Sequence, residues 1–324
     1  MSRILEERVA YKPLLYPWAY DSYKEQHQAH WLPEEINFED DIQDWNKALT
    51  DAERDFLTNI LRFFTQGDVS VAEAYTKKFL PVFKHPELVM MMSSIASCEA
   101  IHIDAYSQVI DTIGMPETLY SSFTEIKEMK DKYDYITEQK SFVLPDGSID
   151  IPELAKQIAI YAAFTEGMHL FSSFVMLLNF PRMNKMKGMG QVITWSIRDE
   201  TIHFESMIKL FRTIIKENPS IWTDDFKAEL YQMARDMVKL EDNFIDIAFS
   251  SGGIINLTAD EVKNYIRFIA DRRLLQLGLK PNYNVTTHSL DWYADLVNAV
   301  EHTNFFENRV TEYSKGTLTG DWYA

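Results

Sequence analysis

A single cysteine, Cys98, is the whole thiol inventory of the 324 residues. No internal disulfide can form, which suits a reducing cytoplasm, and no dithiol redox cycle can run in this chain alone. Basic residues are also scarce: 32 Lys and Arg face 49 Asp and Glu, for a net charge of −17. That balance argues against nucleic acid or an anionic membrane as a partner, and fits metal cations or a basic protein surface. The opening "MSRILEERVAYKPLLYPWAY" lacks a continuous apolar core followed by a small-residue cleavage site, so no signal peptide is read. Strand-type alternation is missing beyond a few residues, and so is any low-complexity linker. The most apolar run, 158–180, is long enough to span a membrane. It carries Glu166 and His169 at its middle, however, so a helix buried in a large bundle is the expectation.

What is present is helical periodicity nearly throughout. Thr50 and Glu53 form a capping box before a helix over about 52–78. Pro86 opens the next helix and Gly114 closes it. A polar helix is predicted over about 117–139, then a turn at 144–148, then a long helix over about 152–179 that stops at Pro181. Further helices are predicted over about 187–216 and 224–250, after a cap at Thr258, and around 290–302. Long helices with short connections mean an all-α bundle. No boundary divides it, so 1–324 reads as one domain ending in a loose tail at about 312–324.

Acids sit on the apolar faces of these helices. Leu57, Leu61, Phe64, Asp68, Val71 and Tyr75 share one stripe. Met92, Ile95, Glu99, His102, Tyr106 and Val109 share another. Glu166 lies in line with Ala159, Ala163, Leu170 and Phe174, and Glu200 and His203 lie in line with Ile193, Ser196, Met207 and Leu210. Four carboxylates facing one core repel one another unless cations lie between them, and an unpaired buried carboxylate costs several kcal/mol or more. Two divalent metals balance four carboxylates, and His102 and His203 add one nitrogen to each. Glu-x-x-His places both ligands on one helix face, one turn apart. The order here is acid, Glu-x-x-His, acid, Glu-x-x-His, the ligand pattern of dinuclear carboxylate bundles. Oxygen and imidazole donors suit iron or manganese. Glu73 rivals Asp68 but falls off the apolar stripe. Glu166-x-x-His169 also fits the tetrapeptide, but Val71 stands where His169 would in the first half, so His169 is expected to pack or hydrogen-bond rather than ligate.

"CEAIHIDAY", "FTEGMH" and "RDETIHFE" closely resemble the small (β) subunit of class I ribonucleotide reductase, and the likeness runs from "HWLPEEINFEDD" to "NFFENRVTEYS". The resemblance implies a ferritin-like helical bundle with additional helices, a homodimer, and a cytoplasmic protein with neither a nucleic-acid nor a membrane partner. It implies a ribonucleoside-diphosphate reductase activity in which a dinuclear site, iron or alternatively manganese–iron or manganese, reacts with O2. The oxidant passes to the large (α) subunit, which reduces ribonucleotides to deoxyribonucleotides; the motifs do not separate diphosphate from triphosphate substrates. By motif, Asp68, Glu99, His102, Glu166, Glu200 and His203 are the ligands and Tyr106 is the radical tyrosine. Trp31, Asp199 and Tyr313 match the radical-transfer route, with Asp199 linking Trp31 to His102, and the tail docks on the large subunit. A stand-alone di-metal oxidase is the alternative, which Trp31, Asp199 and Tyr313 disfavour; an iron-storage protein would instead assemble into a cage. Ile95, Ile103, Leu170 and Phe174 are available to wall off an oxidised phenol from water.

Overall fold

The computed structural model describes residues 3–297. Tyr313, the tail at 312–324 and the end of the helix expected at 290–302 lie outside the described residues. Among those described, helices carry the fold and no strand forms; the extended pairing is limited to two isolated bridges, Val143 with Ile149 and Ile254 with Leu257.

The first long helix is one the periodicity did not reveal. α1 (Pro17–Gln28) buries only small or polar side chains, Ala19, Ser22 and Gln26, so it shows no apolar stripe. α2 (Asp51–Glu73) begins as expected: Thr50 Oγ1 accepts from the Glu53 amide at 3.2 Å, and Glu53 Oε2 accepts from the Thr50 amide at 2.8 Å. It continues as a π-helical turn over Ala74–Phe79. α3 (Pro86–Thr112) starts at its proline, and Gly114, at φ +76°, reverses the chain after it.

The polar helix expected over 117–139 is broken. A short turn, Leu119–Ser122, and a 3-10 turn, Phe123–Glu125, precede α4 (Lys127–Thr137), with Ile126 extended between them. Ser121, Ser122 and Thr124 bond back to the carbonyls of Thr118, Leu119 and Ser121, which competes with helix propagation. Phe123 turns inward against Phe63, with ring centroids 5.8 Å apart.

α5 (Ile151–Arg182) is the axis of the molecule, and its most apolar stretch is wholly buried inside the bundle. Its middle, Ala159–His169, is π-helical. It also passes through Pro181 instead of stopping there. The missing amide falls in the last turn, and Gly190 makes room for the ring: a Cβ at 190 would lie 2.7 Å from Pro181 Cγ. α6 (Lys187–Glu217), α7 (Asp224–Ala248) and α8 (Ala259–Leu277) follow, the last two capped by Thr223 and Thr258. A last described helix opens at 291. α2 runs along α3, α3 packs on α1, and the π-helical part of α5 is enclosed by α6 and α8. The four helices that carry the acids therefore face one another.

Candidate metal centre

Asp68 comes from α2, Glu99 and His102 from α3, Glu166 from the π-helical part of α5, and Glu200 and His203 from α6. All six side chains are fully buried. Their ligand atoms fall into two groups, each within 4.8 Å: Asp68, Glu99, His102 and Glu200, and Glu99, Glu166, Glu200 and His203. Glu99 and Glu200 belong to both. Glu99 turns Oε2 toward His102 Nδ1 at 3.6 Å and Oε1 toward His203 Nδ1 at 2.9 Å. Glu200 does the same, with Oε1 at 3.2 Å from His102 Nδ1 and Oε2 at 3.5 Å from His203 Nδ1. The two shared carboxylates thus span both halves.

These donors fit metal ions by a further test. Both oxygens of Asp68, Glu99 and Glu200, His102 Nδ1 and both nitrogens of His203 lack a hydrogen bond of proper geometry. Orphan polar atoms this deep are costly. Buried acids elsewhere keep more of their partners: Asp41 accepts from the amides of Gly188 and Met189, Asp271 from those of Asn282, Tyr283 and Val285, and Glu87 and Glu241 each leave only one oxygen without a hydrogen bond. Without cations the charges disturb one another. Burial foremost, then the charges of Glu99 and Glu200, push the Asp68 carboxyl well above its usual range. Burial foremost pushes Glu166 up to about 8. For Glu99 burial is again the largest influence and acts upward, but the imidazoles of His102 and His203 more than reverse it and hold the carboxyl at about 2.

Around this core lie the other residues singled out in the sequence, Tyr313 excepted, which is outside the described residues. His102 Nε2 lies 3.2 Å from Asp199 Oδ2, to which its N–H donates, and this turns Nδ1 toward the acids. Trp31 Nε1 donates to the same Asp199 oxygen at 2.7 Å. Trp31, Asp199 and His102 therefore form one continuous buried chain. Cys98 Sγ joins its edge, 3.4 Å from Asp199 Oδ2, and accepts from Gln26 of α1 at 3.1 Å. The Tyr106 hydroxyl donates to Ser196 Oγ at 2.7 Å, and its ring centroid is 6.1 Å from that of His102. Phe64 lies against it at 4.5 Å, and Phe174 lies behind Phe64 at 5.7 Å. Ile95 and Leu170 are buried with Phe174, whereas Ile103 is half-buried. Glu73 is exposed and pairs with Lys77.

His169 points elsewhere. Its Nε2 lies 2.8 Å from the Met237 carbonyl and 3.6 Å from Glu241, which pairs with Lys132 at 2.6 Å. We expect His169→Ala to cost about 1–3 kcal/mol of stability, while metal analysis finds the same ions as in the wild type. Loss of metal from a folded His169→Ala protein would make His169 a ligand.

Three contacts were not anticipated. Tyr75 donates to both oxygens of Glu166, at 3.1 and 2.9 Å. Ser196 receives Tyr106, and Trp195 lies tilted against Trp31 with centroids 5.1 Å apart. Tyr75 had a sequence signal: it follows Asp68 at the interval by which Tyr106 follows Glu99. Ser196 and Trp195 had none beyond the face they occupy.

Residues 8–289 match the family model for the ribonucleotide reductase small chain. A probable ribonucleoside-diphosphate reductase small subunit of Invertebrate iridescent virus 3 is 46% identical over 99% of this chain and 88% of its own length. The ribonucleotide reductase R2 subunit of Clostridium botulinum superposes with a TM-score of 0.80 at 24% identity, over 90% of this chain and 91% of its own. The dimanganese(II) NrdF protein of Streptococcus sanguinis does so at 0.74 and 19% identity, over 92% of this chain and 99% of its own. The helical bundle is therefore the fold of these proteins, and the chain belongs to the small-chain family of ribonucleotide reductases.

Proposed function

We propose that the chain is the radical-generating small subunit of ribonucleoside-diphosphate reductase and holds two divalent metal ions between Asp68, Glu99, His102, Glu166, Glu200 and His203. The observation that carries this reading is the two groups of buried donor atoms around the shared Glu99 and Glu200, those of Asp68, Glu99, Glu200 and His203 all without a hydrogen bond of proper geometry. Asp68 and His102 would hold one ion and Glu166 and His203 the other, with Glu99 and Glu200 within reach of both. When bound, the ions supply the positive charge that these acids lack and the capacity to reduce O2. Iron is the first expectation; the donor set also accepts manganese, and the fold relative from Streptococcus sanguinis is a dimanganese(II) protein.

The protein's own residues then have separable tasks. Tyr106 supplies an electron and its phenolic proton. Its ring is 1% exposed, so water is kept from the oxidised phenol by Phe64 and the bundle around it. Asp199 holds His102 in the tautomer that presents Nδ1, and connects it to Trp31. Trp31 begins the route outward, and Tyr313 in the tail continues it toward a large subunit. A large subunit is required chemically, because the one cysteine is buried and hydrogen-bonded to Gln26 and cannot provide the thiols that ribose reduction consumes. The same reading makes the protein a cytoplasmic homodimer that docks on the large subunit through residues 312–324.

Reconstitution tests this directly. Apo-protein given Fe(II) or Mn(II) under air should bind two ions per chain and give a tyrosyl electron paramagnetic resonance signal. A wild type that gives no radical with iron, manganese or their mixture would overturn the tyrosyl reading.

A further inference from the structure

Gly167 follows Glu166 directly within the π-helical stretch of α5, where main-chain bonding is shifted out of the α-helical register. Its carbonyl receives a side chain from another helix: Arg273 Nε of α8 donates to it at 2.7 Å. Arg273 is only 6% exposed. Its Nη1 donates to Gln276 at 2.9 Å, and its guanidinium lies 3.7 Å over the ring of Phe204. Its partners are thus a carbonyl, an amide and two aromatic rings, Phe204 and, farther off at 5.4 Å, Phe171, rather than a carboxylate. Burying a guanidinium without a carboxylate partner is costly, and here the offset comes from the two hydrogen bonds and the aromatic face.

Both main partners adjoin residues of the same half-site. Gly167 is next to Glu166, and Phe204 is next to His203. Nothing in this set of contacts touches Asp68 or His102. The glycine is also required: a Cβ at 167 would lie 2.8 Å from Arg273 Nε and 2.9 Å from the Ala162 carbonyl. A side chain there and the guanidinium exclude each other.

We propose that Arg273 is a positioning residue for the Glu166–His203 half of the metal centre, clamping the Gly167 carbonyl and the Phe204 ring so that the two ligands keep their mutual placement. The inference rests on the two-metal reading above. It acts through the backbone and ring packing, one step removed from the ligands, like other partners that orient metal ligands from behind.

The test uses Mn(II) alone, added without air to the full apo-protein and followed by calorimetry and electron paramagnetic resonance. The wild type should bind two ions and show the signal of a coupled pair. Arg273→Gln should weaken one site by about tenfold to a hundredfold and leave the other unchanged, so that the coupled signal gives way to that of isolated Mn(II). Gly167→Ala should do the same from the opposite side. Arg272→Gln is the control: Arg272 and Arg273 line one cavity of about 600 Å³, but Arg272 is exposed and lies over Phe268, so it should behave as wild type. In the metal-free proteins, amide exchange across 160–170 should be faster in Arg273→Gln than in the wild type. Unchanged exchange there, two wild-type sites in folded Arg273→Gln and Gly167→Ala, equal weakening of both sites, or the same change in Arg272→Gln would each overturn the clamp. If Arg273→Gln does not fold, Arg273→Lys decides in its place by the same readouts, since an ammonium cannot both reach the Gly167 carbonyl and cover Phe204 as the planar fork does. A wild type that binds fewer than two ions would instead overturn the two-metal reading, and the clamp's role in it.

Discussion

Tyr106→Phe is expected to keep both metal ions and lose the radical, with nucleotide reduction alongside the large subunit falling at least about a thousandfold, or about 4 kcal/mol in barrier. The change removes one oxygen from a site that tolerates it. Tyr106 donates to Ser196, and Ser196 keeps its own bond to the Val192 carbonyl at 3.0 Å. The lost hydrogen bond should cost about 1 kcal/mol, and the ring still fills its place against Phe64. No ligand atom moves. Phenylalanine has no hydroxyl to oxidise, so structure and chemistry separate cleanly. The nearby tyrosine provides the contrast. Tyr75 is equally buried but bonded to Glu166, so Tyr75→Phe should leave the radical in place and alter the metal spectrum. A tyrosyl signal of wild-type size in Tyr106→Phe would move the radical elsewhere, with Tyr75 the first candidate.

Metal removal should destabilise the protein, and more so as pH rises. In the metal-free protein, burial and mutual repulsion raise Asp68, and burial raises Glu166 from 4.5 to about 8. The folded state then holds protons that the unfolded state has released, so stability falls as pH climbs from about 4.5 to about 8. His102 and His203 act in the same direction. Burial, the largest single influence, lowers them, but the surrounding acceptor and anionic groups outweigh it and raise both well above 6.5. Their contribution is complete below 6.5 and is lost as pH rises through the raised values. Glu99, held at about 2, adds stability above 4.5 that disappears only toward that acid extreme. Metal ions take the place of those protons. An ion at a thousand times its dissociation constant adds about 4 kcal/mol, so two should raise Tm by about 10 °C or more. Thermal melts with chelator and with two equivalents of metal, from pH 6 to pH 8, should show the gap widening. A gap that does not change with pH, or a metal-free Tm that rises over this range, would refute the account.

The parts of the site that were legible in the sequence are those that a single helix encodes. Spacing of three and four residues places Glu99 with His102, and Glu200 with His203, on faces that also carry Ile95 and Met207, so burial of the pairs follows from the stripe. The caps at Thr50 and Thr258 and the start at Pro86 are likewise local. The same logic failed where local and tertiary preferences diverged. Residues 117–139 have helical spacing, but Ser and Thr side chains and the burial of Phe123 break them. α1 packs through Ala19, Ser22 and Gln26, which give no apolar signal although they lie against the core.

By itself the sequence determined which acids and histidines share a buried helix face, because side-chain direction along a helix follows from a fixed turn. Only the tertiary structure decided that Glu99 and Glu200 span both halves, that Tyr106 rests on Ser196 while Tyr75 rests on Glu166, and that Arg273 reaches Gly167. Those pairings join different helices, and they depend on how far apart the helices pack and where α5 takes its π-helical turn. Spacing along one chain carries no such distance.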